Sequence, residues 1–413
     1  NTTMPANPSK GIPFVKELER EAIKQNNVDR QAGAKAKMVE YYYYQFDTDS
    51  VFMAAEVAEE FSRKHKLHNR LFSVQQIVVQ AYAVRKEYAQ AVKKAREMYD
   101  DAKEITNYYG MANASAAIAN TYNTMGISDE ALSYYKEALN LLNQTNEAKE
   151  VMFLRLNLLY QINHIYIIKE EEPENILAYA DTLSMRTDEY TAKTGSKAYK
   201  FRILTEYCRS QAYLFLKNQK AARHHILKLD SLYDLYPIPI FVMNIDGIKA
   251  NYYMATEEYE KALTYMQKTF DYAKEYGLED GQKAKANREY AYTLLELGRY
   301  KEATTYYEEA CKQMTDNYRN DLVAQINYLR TMYDLDKLEL QAEKDKLQLN
   351  IAHNKLIAFV IASALLLAIV VVVVYNMRRI RKKNIGLVQR ICEQDLLEEK
   401  IAKQQEEIDG LRM

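Results

Sequence analysis

ANTYNTMGISDEALSYYKEAL, residues 119–139, and REYAYTLLELGRYKEATTYYEEAC, residues 288–311, carry one pattern. In each, an apolar residue precedes a glycine (Met125–Gly126; Leu297–Gly298). An alanine follows five residues after the glycine (Ala131, Ala303), a tyrosine four beyond that (Tyr135, Tyr307) and a second alanine three further on (Ala138, Ala310). A large anchor, Tyr122 or Leu294, stands upstream on the preceding helix. Glycine suits the left-handed turn that ends a helix, and small residues at helical spacing let the next helix lie close. Fainter copies surround Ala91, Ala222 and Ala262. The small-residue marks therefore fall at 91, 131, 222, 262 and 303, separated by 40, 91, 40 and 41 residues. The long interval has room for one more unit, which Tyr166–Ala180 fills with a turn lengthened around Pro173, and another unit lies near Phe52 and Ala55. Recurrence at a fixed period marks stacked helical units rather than a single compact core.

Composition agrees. The 413 residues include only 11 Gly and 6 Pro, well under the roughly 12% of average usage, too few for the turns of a sandwich, barrel or doubly wound sheet. Hydrophobic residues make up 48% of the chain, enough to bury a core and to exclude disorder. Formal charge is −1, from 56 basic and 57 acidic residues, so no whole-chain field draws in nucleic acid or an anionic surface. Cys208, Cys311 and Cys392 form neither a disulfide framework nor a metal knuckle, and each reads as inert packing. A Cys208–Cys311 bridge in an oxidising compartment is the alternative. There is no phosphate-binding loop, no GxSxG and no HExxH. No enzyme activity and no cofactor or metal is expected. His65 and His68, three apart on one expected helix face, sit beside Lys64 and Lys66 and read as a solvated basic face.

The repeat marks resemble the tetratricopeptide repeat, a helix–turn–helix unit, over roughly residues 35–315. The expected fold is all-α: a tetratricopeptide-like solenoid, then a long helix, one transmembrane helix and a cytoplasmic helical tail. The period near 40 exceeds the family's usual 34, and the family's terminal proline is missing from most units, so longer helices are expected. The resemblance implies that the first helix of each unit, helix A, lines a concave groove, and that the residue two before the Tyr122-type anchor points into it. Those positions hold Gln80, Asn120, His164, Gln211, Asn251 and Tyr292. Amides offer donors and acceptors together, which suits peptide backbone or sugar hydroxyls, although exposed helix positions are commonly polar without a ligand. As exposed polar positions, Asn120 and Asn251 should tolerate alanine with little effect on stability. Tyr82, Tyr122, Tyr213 and Tyr253 on helix A, with Tyr135 and Tyr307 on helix B, fall at packing positions. The run Tyr41, Tyr42, Tyr43 and Tyr44 goes round a whole helix, so part of it must face outward, and it is the second choice for a ligand surface.

Residues 356–375, LIAFVIASALLLAIVVVVVY, contain no charge. Twenty residues at 1.5 Å each span about 30 Å, the hydrocarbon thickness of a bilayer. A buried core helix is the alternative, but such a helix seldom needs an apolar surface all the way round. Arg378, Arg379, Arg381, Lys382 and Lys383 follow the segment, whereas only His353, Asn354 and Lys355 precede it. The positive-inside rule then makes these five residues a cytoplasmic anchor against membrane lipid and exports the N-terminal part. The chain opens at Asn1 without an apolar leader, so a removed signal peptide is expected, and a continuation past Met413 is expected as well. Before the apolar segment, Leu335, Ala342, Leu349 and Leu356 recur every seven residues beside a second stripe of Tyr333, Leu340 and Leu347. This spacing fits a helix packed in a homodimer, or against the last repeat.

Five parts result: a segment with a capping helix at 1–34, the repeats at 35–326, a membrane-proximal helix at 327–355, the span at 356–375 and a coiled-coil-like tail at 376–413. Their order resembles bacterial inner-membrane sensors with a periplasmic tetratricopeptide domain, in which the juxtamembrane helix usually leads to an AraC-type helix-turn-helix domain. The resemblance implies transcription regulation triggered by a protein, peptide or glycan-derived ligand in the groove. DNA would be contacted only through a domain this chain does not contain. A membrane-anchored periplasmic scaffold for protein partners, and the sensor part of a histidine kinase, are the alternatives.

Overall fold

A computed structural model describes residues 8–237, 241–276 and 280–410. The helices are α1 (Pro8–Lys24), α2 (Val28–Tyr44), α3 (Thr48–Lys64), α4 (His68–Val84), α5 (Tyr88–Glu104), α6 (Tyr108–Thr124), α7 (Ser128–Leu142), α8 (Lys149–Lys169) and α9 (Pro173–Thr194). They continue as α10 (Tyr199–Phe215), α11 (Gln219–Leu235), α12 (Val242–Ala255), α13 (Tyr259–Tyr276), α14 (Asp280–Glu296) and α15 (Tyr300–Gly410). No strand occurs among the described residues. The chain divides into two units, Asn1–Met332 and Tyr333–Met413.

The repeat is built from one local device. Each of the first six helices is 17 residues long, and three-residue turns join them. The middle turn residue is left-handed every time: Asn26 (φ 50°), Phe46 (55°), Lys66 (54°), Lys86 (59°), Thr106 (55°) and Gly126 (77°). The third turn residue then donates its N–H to a carbonyl of the helix just ended, as in Glu87 to Tyr82 at 3.0 Å, Ile127 to Tyr122 at 2.9 Å and Asn218 to Tyr213 at 2.8 Å. This six-to-one closure satisfies a carbonyl that the helix end leaves without a partner. Where that residue is Asn27, Asp47, Asn107 or Asn218, its side chain also accepts from the first turn of the next helix. One residue thereby closes two helices.

Antiparallel neighbours then pack along the whole unit. The small-residue marks Ala91, Ala131, Ala222, Ala262 and Ala303 are all buried, which is what lets the paired helices approach. Helix α2 pairs with α3 as the first repeat, so the boundary at 34/35 falls inside a helix. The pair α8–α9 is longer, at 21 and 22 residues, and contributes a run of fully buried aliphatic side chains, among them Leu158, Leu159, Ile162, Ile165, Ile176 and Leu183. The first unit also extends past residue 326, because Tyr328 of α15 is buried with Tyr88, Val92 and Met125, beside Met332.

Two smaller expectations are corrected. His65 caps the end of α3 and His68 opens α4, so a turn separates them and they share no helix face. Cys208 is buried, but Cys311 and Cys392 are exposed and pack nothing.

In the second unit one helix is long and apolar enough to cross a membrane. Its side chains between Leu356 and Tyr375 are exposed, Phe359 at 73% and Leu367 at 70%, so this is no buried core helix. Leu340, Leu347 and Leu349 are exposed as well. The side chains of Tyr333, Leu335 and Leu338 lie outside the described residues.

Among the described glycines the closest packing is at Gly110, where an added Cβ would lie 2.5 Å from Phe72 Cε2 and 2.7 Å from Ala102 Cβ. Replacing a helical glycine by alanine normally stabilises by about 0.5–1 kcal/mol. Here overpacking should dominate, at about 1–3 kcal/mol. Gly110→Ala should therefore lower the thermal midpoint of the full chain, and adding Phe72→Leu should recover part of the loss. A raised midpoint would show that α4, α5 and α6 do not meet this closely.

Candidate functional site

Helix A of successive repeats turns the same face inward, and two cavities open there. The first has a volume of 640 Å³. Its amide wall is built at i, i+4 spacing from Gln76 and Gln80 on α4 and from Asn157 and Gln161 on α8, with Ala116 and Asn120 of α6 between them. Residues four apart on a helix stand one above the other, so each helix presents two rungs. Phe153, one rung before Asn157 on α8, joins Tyr190, Tyr199 and Phe201 as the cavity's aromatic lining, and Tyr44 of α2 lines it as well.

The second cavity has a volume of 620 Å³. Gln211 of α10, Asn251 of α12 and Tyr292 of α14 line it in register, above an apolar floor that includes Phe215, Met254 and Met266. Lys285, Arg288, Glu170 and Glu289 sit around it. Burial raises the Glu289 carboxyl above the usual carboxylate range, opposed by Lys285 and Arg288.

Five of the six groove positions thus fall on a cavity, two on the first and three on the second. His164 lines neither. It is half-buried with its ring 5.8 Å from Tyr160, and burial, followed by Lys285, lowers its pKa. The reason is length: α8 has a full extra turn relative to α6, 21 residues against 17, so counting back from the anchor overshoots the cavity. Asn157 and Gln161 hold the groove positions instead.

The amides are not all free. Tyr135, 1% exposed, donates its hydroxyl to Asn120 Oδ1, which leaves that amide mainly a donor toward the cavity. Gln211 donates through Nε2 to Tyr207 Oη at 3.2 Å. Asn251 has no side-chain hydrogen bond among the described residues.

The tyrosines divide. Tyr42 and Tyr43 pack on the cluster around Val39, Val51 and Ala55, and Tyr41 lies edge-on to Tyr42. Only Tyr44, 38% exposed, reaches the first cavity. The helix A anchors pack on rings: Tyr82 tilted against Phe52 (4.7 Å), and Tyr122 stacked on Tyr134 (5.6 Å), Tyr213 on His225 (5.2 Å) and Tyr253 on Tyr265 (5.5 Å). In the last three pairs the partner stands twelve residues downstream, and across the longer α8–α9 turn Tyr166 stacks on Tyr179 thirteen downstream. That recurrence was present in the sequence as a second repeat signal. Tyr307, expected at a packing position, lines the second cavity instead.

Residues 241–316 match the family model of the tetratricopeptide repeat. No curated protein matches the chain in sequence. Among solved structures, the apo form of the quorum sensor NprR from B. thuringiensis is similar over 75% of this chain and 83% of its own, at 16% identity and a TM-score of 0.52. PH0952 from Pyrococcus horikoshii, a signal transduction ATPase with a tetratricopeptide repeat sensor, aligns over 77% of this chain and 47% of its own, at 13% identity and a TM-score of 0.49. A Rap protein complexed with competence and sporulation factor aligns over 62% and 73%, at 16% identity and a TM-score of 0.39. The fold is a tetratricopeptide-like helical-repeat solenoid followed by a long apolar helix.

The bond from Tyr135 revises the expected tolerance at Asn120. Asn120→Ala should destabilise by about 1–3 kcal/mol, because it strands a buried hydroxyl, and Tyr135→Phe in the same chain should recover most of that. Asn251→Ala should shift stability by less than about 0.5 kcal/mol. Equal losses at the two positions in thermal melts would contradict the assigned bond.

Proposed function

We propose that the repeat unit is the ligand-binding part of a single-pass membrane sensor, and that the first cavity binds an extended peptide. The observation that carries this reading is the convergence of Gln76, Gln80, Asn120, Asn157 and Gln161, from three helix A segments, on one cavity. Amides match the alternating donors and acceptors of a peptide backbone, and the aromatic wall offers apolar contact to its side chains. The cavity volume falls within the range of built ligand sites. The periplasmic placement of the repeats rests on Arg378, Arg379, Arg381, Lys382 and Lys383 following the apolar segment.

Transmission would use α6. Asn120 of this helix faces the cavity, and two residues on, Tyr122 Oη lies 2.9 Å from Tyr328 Oη of α15. Tyr328 thus forms a latch on the repeats, and α15 is the helix that continues into the apolar segment. A ligand that favours one position of α6 biases the latch by its difference in affinity for the two states. In this reading the chain works as a homodimer along the seven-residue register of Ala342, Leu349 and Leu356, and its output is transcription regulation.

A photo-crosslinking residue in place of Gln161, in the full chain in its native membrane, should give adducts whose masses correspond to peptides. Adducts with glycans alone would move the ligand to another class, and their absence at Gln161 would displace the site. In the same membranes a cysteine at Leu349 should cross-link two copies more readily than one at Glu343. Negligible yield at both would remove the dimer.

A further inference from the structure

The first cavity has a charge that the amide wall does not explain. Lys37 of α2, Lys149 of α8, Lys197 of the turn before α10 and Lys200 of α10 all line it, against one carboxylate, Glu40. Four positive charges less one negative leave the lining at +3, in a chain whose overall formal charge is −1. Glu40 is already paired with Lys37. Among the described residues, Lys149, Lys197 and Lys200 take part in no ion pair. The second cavity offers a contrast within the same molecule, since Lys285 and Arg288 are balanced there by Glu170 and Glu289.

Lys200 is the best placed of the three. Its Nζ donates to Asn157 Oδ1 at 3.2 Å and lies 5.3 Å from the Phe201 ring and 5.7 Å from the Phe153 ring. Contacts with two ring faces and an amide hold the ammonium in position without neutralising it. Burial lowers its pKa, with Glu40 opposing and Lys37 adding to the effect. A half-buried cation with no ion-pair partner of its own favours a ligand that supplies one, and low-dielectric aromatic walls strengthen the attraction. Like-charged side chains from four separate elements would not be gathered by solvation of one helix face.

We infer that the first cavity is an acid-selective site: it takes a peptide bearing a carboxylate, which pairs with Lys200 while an adjacent apolar side chain lies against Phe153 and Phe201. This rests on the peptide reading of the cavity given above. The carboxylate belongs either to an Asp or Glu side chain or to a free C-terminus, and both supply the same charge-assisted hydrogen bond. Lys197 and Lys149 add to the field that draws the ligand in, so binding weakens with salt. The second cavity, balanced in charge and floored by Phe215, Met254 and Met266, makes no such selection.

The test uses the full chain in nanodiscs and three fluorescent pentapeptide pools. One pool is N-acetylated, C-amidated and carries Asp or Glu at two positions; the second replaces these with Asn or Gln; the third is the second with a free C-terminal carboxylate. The acidic pool, the free-terminus pool or both should bind at least tenfold more tightly than the neutral pool, and which of them does so identifies the source of the carboxylate. Lys200→Met should remove the difference between the pools, and Lys197→Met, at an exposed position, should reduce it. Equal binding of all three pools would overturn acid selection and leave the peptide reading standing. If no pool binds but succinate shifts the methyl resonance of reductively methylated Lys200, the anion site stands and the peptide reading falls. No response to any pool or to succinate would overturn both.

Discussion

Every later feature of this molecule depends on how its helices end. A left-handed residue in the middle of a three-residue turn lets the next N–H return to a carbonyl of the helix just completed. In units with clear and with faint repeat marks alike, that carbonyl belongs to the anchor residue, as at Tyr82, Tyr122, Tyr213, Tyr253 and Leu294. The anchor is therefore fixed twice, by its backbone in the turn and, for the tyrosines, by its ring against a neighbouring helix. Once it is fixed, the face of helix A two residues earlier is set as well, because a helix allows no independent rotation of its residues. The groove is a consequence of the turn.

This explains what could be read from the sequence and what could not. The repeats were legible at Gly126 and Gly298, where the left-handed residue is the one that adopts that conformation without penalty. They were faint where the same φ is held by Lys86, Lys217 or Glu257, since no side chain there advertises the turn. Spacing from the anchors located Gln80 and Asn120 at one cavity and Gln211, Asn251 and Tyr292 at the other. It chose His164 and missed Asn157 and Gln161 because α8 carries an extra turn, a length change with no local mark in the sequence. The lysines were invisible for a different reason. Lys200 reaches the cavity through the segment after α9, where Gly195 and Ala198 both have positive φ, and no periodicity predicts such a path.

Helix α6 carries contacts both to the first cavity and to α15. Asn120 and Tyr122 are neighbours on α6, yet one is tied to Tyr135 beside the cavity and the other to Tyr328, which lies 206 residues away in the chain. Tyr328 is buried with Tyr88, Val92 and Met125, so its position is held by packing as well as by the hydrogen bond between the two phenols. A shift of α6 of about one ångström would strain both contacts, because packed interfaces have discrete arrangements rather than a continuum. The small residues of α6, from Gly110 through Ala119, set the helix close against its neighbours and make it the element through which such a shift would pass.

The central claim is that occupancy of the first cavity is felt at Tyr328. The direct measurement is the distance between spin labels on cysteines introduced at Asn123 and Leu329, in the full chain in nanodiscs with the exposed Cys311 and Cys392 changed to serine. Without peptide, one narrow distance should be seen, and Tyr328→Phe should broaden it. Adding the acidic pentapeptide pool to saturation should move that distance or convert it to a second population. A distribution that stays the same with peptide bound would contradict the coupling, and the groove would then bind its ligand without reporting it to α15.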